Sequence, residues 1–202
     1  MTCDDLPVDQ AAEIGLPGGE AVGHGGAVLI RREAGTDADV IRTVTAAAFA
    51  QPDREQPDRE PPEARLVDEL RASPAWIGVL SLVATEPGGE VIGHVVCSRG
   101  QVGQAPVLAL GPLSVRPDRQ RGGVGSALMH AVLGAADALG EPLVALLGNP
   151  AYYWRFGFRL SEEYGITPPV DGWRPHFQVR VLTGYQPSVR GMFRFAEPFD
   201  RT

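Results

Sequence analysis

Short apolar runs alternate along most of the chain with segments whose apolar positions recur at helical spacing. The apolar runs predict β-strands at residues 28–32, 79–86, 91–99, 107–115, 143–147, 178–182 and 192–195. The helical spacing predicts helices over about 36–49, 63–72, 123–139 and, for a short one, 151–156. This order of elements predicts an α/β fold, a mixed central β-sheet with helices on both faces.

Glycine and proline mark the ends of several of these elements. Pro87, Gly88 and Gly89 predict a hairpin turn between two strands. Gly140 follows the last apolar position of the long helix and predicts its end. The run 143–147 is apolar throughout, which is typical of a strand buried within a parallel pairing.

Two segments follow neither pattern. Residues 1–26 are rich in glycine and have no sustained period, so they predict a flexible tail ahead of one domain at 27–202. Residues 51–60 repeat Gln-Pro-Asp-Arg-Glu in tandem and are followed by two prolines. Two copies are too few for a solenoid, and the prolines predict a loop. The simplest interpretation is an insertion in a surface loop.

The composition is that of a globular protein with a core, with 44% hydrophobic residues in 202. The net charge of −7 argues against general nucleic-acid binding, although all 18 basic residues are arginines. The chain has no apolar run of membrane-spanning length and no signal-peptide pattern, so we expect no membrane partner and a cytoplasmic protein. Cys3 and Cys97 lie far apart, and neither has metal-ligand spacing, which predicts neither a disulfide nor a metal site.

The most informative segment runs from residue 110 to residue 128. It predicts an apolar strand, a turn containing Arg116, Arg119 and Arg121, a glycine loop and the start of a helix. Such a loop is suited to a phosphate, because the backbone is bare and the first helical N–H groups lack partners. A Walker loop would need a lysine, and a dinucleotide fingerprint would need glycine where Leu128 stands. Glycines that serve only close helix packing are the other interpretation.

Two motifs in this part of the chain resemble a known family. The segment Gln-Arg-Gly-Gly-Val-Gly at 120–125 resembles the acetyl-coenzyme A loop of the GCN5-related N-acetyltransferases. Asn-Pro-Ala-Tyr-Tyr-Trp-Arg-Phe-Gly-Phe at 149–158 resembles that family's second signature, with Tyr153 four residues before Gly157. Leu-Gly-Pro-Leu before the loop and Ala-Tyr-Tyr after it are closer still to a bacterial branch of predicted N-acetyltransferases. The resemblance is strong over 108–158 and weak over the rest of 27–202.

The resemblance implies the acyl-CoA N-acyltransferase fold, in which strands 107–115 and 143–147 splay apart to form the acetyl-CoA cleft. Gly111-Pro112 would favour that opening, since proline lacks a ladder donor. The implied reaction is direct attack of a primary amine on the thioester in a ternary complex, without a metal. The implied CoA-binding residues are Leu113, Ser114, Val115, Gln120, Arg121, Gly122, Gly123, Val124, Gly125, Ser126, Asn149 and Tyr152.

Catalytic roles follow from the same resemblance. A strand N–H near Leu113 would stabilise the oxyanion. Tyr153 matches the position of the acid that protonates the leaving thiolate, with Tyr152 as its packing partner or substitute. Relatives often carry a glutamate base on the strand before the loop, but 107–115 has no acidic residue. His94 is one candidate base, because its ordinary pKa is ~6.5.

Other residues are rivals for these roles or have two interpretations. Glu60, Glu63 and water chains are alternatives to His94 as the base. Asn149 would position the cofactor arm or cap the short helix. Trp76 and Trp173 would line an acceptor cleft or pack in the core.

Three functional hypotheses remain open from the sequence. They are a catalytic N-acetyltransferase, a non-catalytic acetyl-CoA-binding or sensor domain, and an arginine-anchored anion-binding protein of another α/β fold. Tyr153 favours the first over the second, and the second signature disfavours the third. An acidic repeat loop at 51–60 would favour a cationic acceptor, if that loop borders the acceptor site as in the family. The acceptor amine, the acyl length and a homodimeric state are not set by the sequence.

Overall fold

The computed structural model describes residues 28–50 and 60–201. The predicted tail at 1–26 and all but the last residue of the tandem repeat lie outside them. The strands are β1 (Leu29–Arg32), β2 (Ser81–Thr85), β3 (Val91–Val102), β4 (Ala105–Val115), β5 (Leu143–Leu147), β6 (Arg159–Leu160), β7 (Ile166–Thr167), β8 (Phe177–Val181) and β9 (Gly191–Arg194). The α-helices are α1 (Ala38–Phe49), α2 (Pro62–Arg71), α3 (Val124–Ala138) and α4 (Pro150–Tyr153).

The strands form one mixed sheet in the order β1-β2-β3-β4-β5-β8-β6. Neighbours along this path are antiparallel except β4 and β5, which are parallel. β9 pairs with β3 and with β7 beside this path. The mixed sheet predicted from the order of elements is therefore confirmed.

Helices cover both faces of the sheet, as predicted. On one face, Leu128 and Val132 of α3 pack against strand residues such as Val95. On the other face, Ile41 of α1 and Val67 of α2 enclose a smaller apolar cluster. α1 and α2 bury the apolar stripe that their spacing predicts, whereas α3 buries a face centred on Leu128 and Val132 and leaves Leu139, at the end of its predicted stripe, 52% exposed. The core forms as two layers around the sheet.

The structure departs from the predicted elements where the sequence signal was short. β3 and β4 continue to a tight turn at residues 103–104, where Gly103 has a φ of 58°. The predicted strand 79–86 begins only at Ser81, because residues 78–80 form a 3₁₀ turn. β6 and β7 have two residues each and were missed, since two residues cannot show a period.

The end of α3 is a complete Schellman motif, as Gly140 suggested. The N–H of Glu141 donates to the Ala136 carbonyl at 3.2 Å, and the N–H of Gly140 donates to the Asp137 carbonyl at 2.9 Å. Gly140 has a φ of 74°, in the left-handed region that favours glycine. The helix therefore ends where the backbone reverses, and the chain turns towards β5.

Gly140 and Gly134 offer a matched test of this helix end. A Cβ at either position meets nothing within 4 Å, so only backbone conformation differs between them. We expect Gly140→Ala to lower the free energy of unfolding by about 1–2 kcal/mol, because alanine is strained at positive φ. Gly134→Ala, in the exposed helix interior, should raise it by about 0.5–1 kcal/mol. Urea denaturation of both variants measures the two effects; a destabilised Gly134→Ala would contradict them.

Candidate functional site

A cleft opens in the middle of the sheet, between the parallel strands β4 and β5. They pair at only two positions, Leu108 with Val144 and Ala109 with Ala145. Beyond Ala109, β4 remains paired with β3 as far as Val115, and β5 remains paired with β8 as far as Leu147. Each strand is thus held on its outer edge while its inner edge faces the gap. This is the splayed pair that the sequence predicted.

A bulge in β4 lies at the start of the gap. Opposite β3, Val95 faces Leu113 and Cys97 faces Leu110, which places one more residue in β4 than in β3. The extra length falls at Gly111-Pro112, and proline has no N–H to offer a neighbouring strand. Gly111-Pro112, which we expected to favour the separation of the two strands, therefore lies where β4 and β5 separate.

The alternation of β4 determines which amides face the gap. The Arg116 N–H donates to the Ile92 carbonyl of β3 at 2.9 Å. Because successive residues direct their N–H groups to opposite edges, the amides of Leu113 and Val115 point away from β3. Ser114 points its backbone towards β3, opposite His94. Leu113 and Val115 therefore offer backbone groups to the cleft, and Ser114 does not.

The glycine loop joins this edge to α3. The Gln120 side chain donates to the Val115 carbonyl at 3.0 Å, which ties the loop to the end of β4. The first hydrogen bond of the helix runs from the Ala127 N–H to the Gly123 carbonyl, at 2.9 Å. The helix itself supplies no partners to the N–H groups of Val124, Gly125 and Ser126. These amides lie at the positive end of the helix dipole, which attracts an anion.

Two of the three arginines of the turn, Arg116 and Arg119, are held in ion pairs. Arg116 forms ion pairs with Glu90 and, at 2.6 Å, with Asp118. Arg119 forms ion pairs with Glu86 and Asp118, both at 2.6 Å. Carboxylates from the preceding hairpin and from the turn itself therefore neutralise these two side chains. The backbone amides at the start of α3 therefore attract an anion without help from these two side chains.

The second motif brings two tyrosines to the far side of the loop. Asn149 follows β5, and its side chain accepts a hydrogen bond from the Ala151 N–H at 2.9 Å, so it caps α4. The Tyr152 hydroxyl is hydrogen-bonded to Ser126. A Cβ at position 125 would lie 2.9 Å from that hydroxyl, so any larger residue there would displace the Tyr152 side chain. The two motifs, far apart in sequence, thus meet at the first turn of α3.

Tyr153 is buried behind Tyr152, at the carboxyl end of β5. Its ring lies 4.9 Å from that of Tyr152 and 5.8 Å from that of Phe158, and only 7% of the residue is exposed. Gly148 is the close neighbour on its other side, where any side chain would collide with the ring. Burial raises the pKa of the Tyr153 phenol well above its ordinary value, so the hydroxyl keeps its proton.

Gln178 is a buried residue near this tyrosine that the sequence analysis did not identify. It is fully buried on β8 and donates from its side-chain amide to the Gly148 carbonyl at 2.9 Å. It therefore holds the residue on which Tyr153 rests. Its strand, residues 177–181, reads Phe-Gln-Val-Arg-Val, and polar residues that alternate with apolar ones usually face solvent, so no signal in the sequence shows that Gln178 is buried.

His94 lies outside the cleft. It is completely buried, and its Nε2 atom lies 2.9 Å from the Ser81 hydroxyl. Across the strand pair, the Ser114 hydroxyl lies 3.1 Å from that of Thr45, so both buried side chains belong to the face that α1 covers. Burial lowers the pKa of His94, which keeps the imidazole neutral. It has no surface from which to contact an acceptor amine, so its placement gives no support to the predicted role as base.

The His94 network ends in a partly buried ion pair. The Ser81 hydroxyl donates to Glu33, and Arg71 pairs with Glu33 at 2.7 Å. Burial alone would raise the pKa of Glu33, but hydrogen bonds with His94, Arg71 and Ser81 outweigh it and lower the pKa from 4.5 to about 2. The network links β1, β2, β3 and α2 beneath the sheet, so its role is structural.

The remaining candidates lie in various surroundings. Glu60 is paired with Arg42 at 2.5 Å, and Glu63 lies in the first turn of α2. Trp173 is 6% exposed within the core, whereas Trp76 is partly buried, with the Arg71 guanidinium 5.3 Å from its ring.

Within 28–50 and 60–201, no three His, Cys, Asp or Glu residues cluster as metal ligands. None of the described helices is long and apolar enough to cross a membrane.

Comparisons with known proteins agree with this geometry. The sequence profile of the acetyltransferase (GNAT) family matches residues 45–158. An uncharacterised N-acetyltransferase of Escherichia coli, YhbS, is 30% identical over 177 residues, which cover 86% of this chain and 99% of the relative. The crystal structure of YhbS in complex with CoA superimposes with a TM-score of 0.78 over 90% of this chain and 97% of that one. A GNAT acetyltransferase of Brucella melitensis, solved with acetyl-CoA, is 34% identical, with a TM-score of 0.68 over 87% of this chain and 99% of that one.

The buried Glu33 carboxylate predicts an acid-sensitive contribution to stability. Its pKa is lower in the folded chain than in the unfolded one, so its contribution is complete above about pH 4.5 and is lost as the pH falls towards 2. We expect Glu33→Gln to reduce the loss of unfolding free energy across this interval, with some loss remaining because the pKa of Asp37 is also lowered, by Arg31. Denaturant titrations from pH 7 to pH 2 measure it. The exposed control Glu163→Gln should keep the wild-type slope, and an unchanged slope in Glu33→Gln would contradict the assignment.

Proposed function

The chain belongs to the acetyltransferase (GNAT) family, and from this premise we propose that it transfers the acetyl group of acetyl-CoA to a primary amine, by direct attack within a ternary complex. The observation that carries the proposal is the junction of the splayed strands with the glycine loop. An open strand edge there leads directly to the unpaired amides at the start of α3. Such a junction suits a ligand with an extended amide-bearing arm that ends in a pyrophosphate.

The residues present fit this cosubstrate. Backbone groups of Leu113 and Val115 would bind the pantetheine arm along the open edge of β4. The amides of Val124, Gly125 and Ser126 would bind the pyrophosphate, with Gln120, Arg121, Gly122 and Gly123 shaping the loop and Tyr152 closing its far side. The relatives from E. coli and Brucella, which were crystallised with CoA and acetyl-CoA, support the choice of this cosubstrate.

The catalytic proposal rests on two groups of the cleft. When bound, acetyl-CoA supplies an activated acetyl thioester. The Leu113 N–H, which points away from β3, is placed to stabilise negative charge on the carbonyl oxygen; losing such a donor typically costs about 10²–10³ in rate. We assign the donation of a proton to the leaving sulfur to Tyr153, because it matches the family's acid position and burial keeps its hydroxyl protonated. We assign deprotonation of the amine to water, because β4 has no carboxylate and His94 is buried.

Among the described residues, neither β4 nor His94 offers a side-chain base to the cleft, which favours the alternative function, a non-catalytic acetyl-CoA-binding or sensor domain. The two functions share the cofactor and differ in turnover. The acceptor amine is not identified by the site, so the test must offer several chemical classes. Small amines, amino acids, amine-bearing antibiotics and peptides with free N-termini represent them.

Binding and turnover together test the proposal. We expect acetyl-CoA to raise the melting temperature of the wild-type protein, because it binds only the folded state. With a suitable amine from the panel, free CoA thiol should appear, and mass spectrometry should show the acetylated amine. An equal thermal shift with ATP or NAD would contradict the cofactor. Binding without thiol release for every amine class would favour the sensor function.

Two variants of α3 provide a matched control for this assay. Ser126→Asp places a carboxylate beside the proposed pyrophosphate site, where it should abolish the thermal shift by repulsion, although an acidic residue in the first helical turn favours the helix itself. Gly134→Asp adds the same charge to an exposed position of the same helix, where the added side chain meets nothing within 4 Å. It should retain acetyl-CoA binding. Equal behaviour of the two variants would mean that the phosphate binds elsewhere.

Removing one hydroxyl tests Tyr153 as the acid. Tyr153→Phe keeps the ring that packs on Gly148 and Phe158, so we expect an unchanged fold and an acetyl-CoA Kd within about twofold of wild type. Its kcat should fall by about 10²–10⁴, the usual contribution of a placed proton donor. Stopped-flow thiol release and calorimetric binding measure the two quantities separately.

Tyr152→Phe is the paired control for Tyr153→Phe. It removes the hydroxyl that contacts Ser126, so it should weaken acetyl-CoA binding and leave most of kcat intact. A near-normal kcat in Tyr153→Phe would make Tyr153 a packing residue. A crippled kcat in Tyr152→Phe alone would assign the acid role to Tyr152.

A further inference from the structure

Three arginines surround the turn that follows α4 without forming an ion pair in the described part of the chain. Arg155 donates to the Tyr152 carbonyl at 2.9 Å, Arg159 donates to the Phe158 carbonyl at 2.7 Å, and Arg180 donates to the Phe156 carbonyl. Carbonyl groups at the end of a helical turn lack partners and attract cations, which explains why the arginines collect there. In a chain with a net charge of −7, this turn is a local concentration of positive charge.

Arg155 is the member of this group nearest the glycine loop. Its guanidinium carbon lies 4.7 Å from the centre of the Tyr152 ring, and the hydroxyl of that ring is hydrogen-bonded to Ser126. One phenol ring therefore separates the guanidinium from the first turn of α3. The proposed pyrophosphate site and the arginine lie on either side of Tyr152.

The guanidinium is also held ready for a ligand. Its Nε atom is fixed by the Tyr152 carbonyl, and its plane is supported by the rings of Tyr152 and Phe156, the latter at 5.9 Å. The residue is exposed, and no carboxylate among the described residues pairs with its terminal nitrogens. Arg116 and Arg119, by contrast, are engaged by carboxylates. An arginine fixed in this way binds a phosphate with two parallel hydrogen bonds at little entropic cost.

Coenzyme A carries a third phosphate, on its ribose, one sugar away from the pyrophosphate. We propose that Arg155 binds this ribose 3′-phosphate, with Arg159 and Arg180 adding positive potential behind it, and that Arg155 thereby makes the protein select CoA over dephospho-CoA. The inference rests on the proposed function, because it takes the pyrophosphate to bind at the start of α3. Arg155 lies within the second motif, 149–158, but neither motif identifies it as a cofactor ligand. The inference therefore adds a residue that determines specificity.

Calorimetric titration with CoA and with dephospho-CoA tests the inference, because the two ligands differ only in that phosphate. Wild-type protein should bind CoA about tenfold more tightly, as expected of a charge-assisted pair on an exposed surface. Arg155→Ala should weaken CoA binding about tenfold and change dephospho-CoA binding by less than about twofold, so that the preference disappears. The wild-type preference should also decline with added salt.

Arg190→Ala is the matched control, since Arg190 is exposed and its Nε atom also donates to the carbonyl three residues earlier, at 2.7 Å. It should leave both affinities unchanged. Equal wild-type affinities for the two ligands, or a preference that survives in Arg155→Ala, would overturn the inference while leaving the proposed function intact. An equal loss for both ligands in Arg155→Ala would also overturn it, because Arg155 would then act by supporting Tyr152. Failure of wild type to bind either ligand would overturn the proposed function as well.

Discussion

The whole site depends on how briefly β4 and β5 pair. Two parallel strands meet at Leu108–Ala109 and Val144–Ala145 and then separate, each retained by an antiparallel neighbour on its outer side. Backbone N–H and C=O groups on an open inner edge need partners, because a buried and unpaired polar group costs free energy. A ligand with amides along its length meets that need in the manner of an added strand. The cleft is therefore a gap in the hydrogen-bonding of the sheet, and the glycine loop lies at its end.

The positive groups near this gap differ in whether carboxylates already pair with them. The arginines next to the glycine loop are held by Asp118, Glu86 and Glu90, so they shape the turn and contribute little free charge. The backbone amides of α3 remain to attract an anion, with no side-chain flexibility to lose. Arg155, on the opposite side of Tyr152, is positioned by aromatic rings instead of carboxylates. Arginine is thus held in two ways here, by carboxylates next to the glycine loop and by aromatic rings and a backbone carbonyl beside Tyr152.

Local patterns predicted most of the fold and the part of the site that is contiguous in sequence. The loop at 120–126 and the turn at 149–158 each carry their own conformational signals, glycine, a capping asparagine and helical spacing. The resemblance of these motifs to a known family implied the splayed strands. The short strands β6 and β7 carried no such signal, because their existence depends on β8 and β9, which come later in the chain.

What the sequence did not predict was decided by contacts between distant residues. His94 is one polar residue in an apolar strand, and nothing local shows that Ser81, at the start of β2, and Glu33, just after β1, form a hydrogen-bonded network with it. The ion pairs of Arg116 and Arg119 likewise depend on the hairpin that brings Glu86 and Glu90 alongside. Residue types identify candidates for chemistry, and only the tertiary packing separates a group that meets solvent from one that supports the core.

The contact between Gly125 and Tyr152 has an evolutionary consequence. The family motif admits either glycine or alanine at the position of Gly125, but here a methyl group would lie 2.9 Å from the Tyr152 hydroxyl. Alanine at this position would therefore have to be accommodated by a shift of the Tyr152 side chain or by a smaller residue at 152. The two positions, in separate motifs of the chain, thus share one volume, and a substitution at either changes what the other can hold.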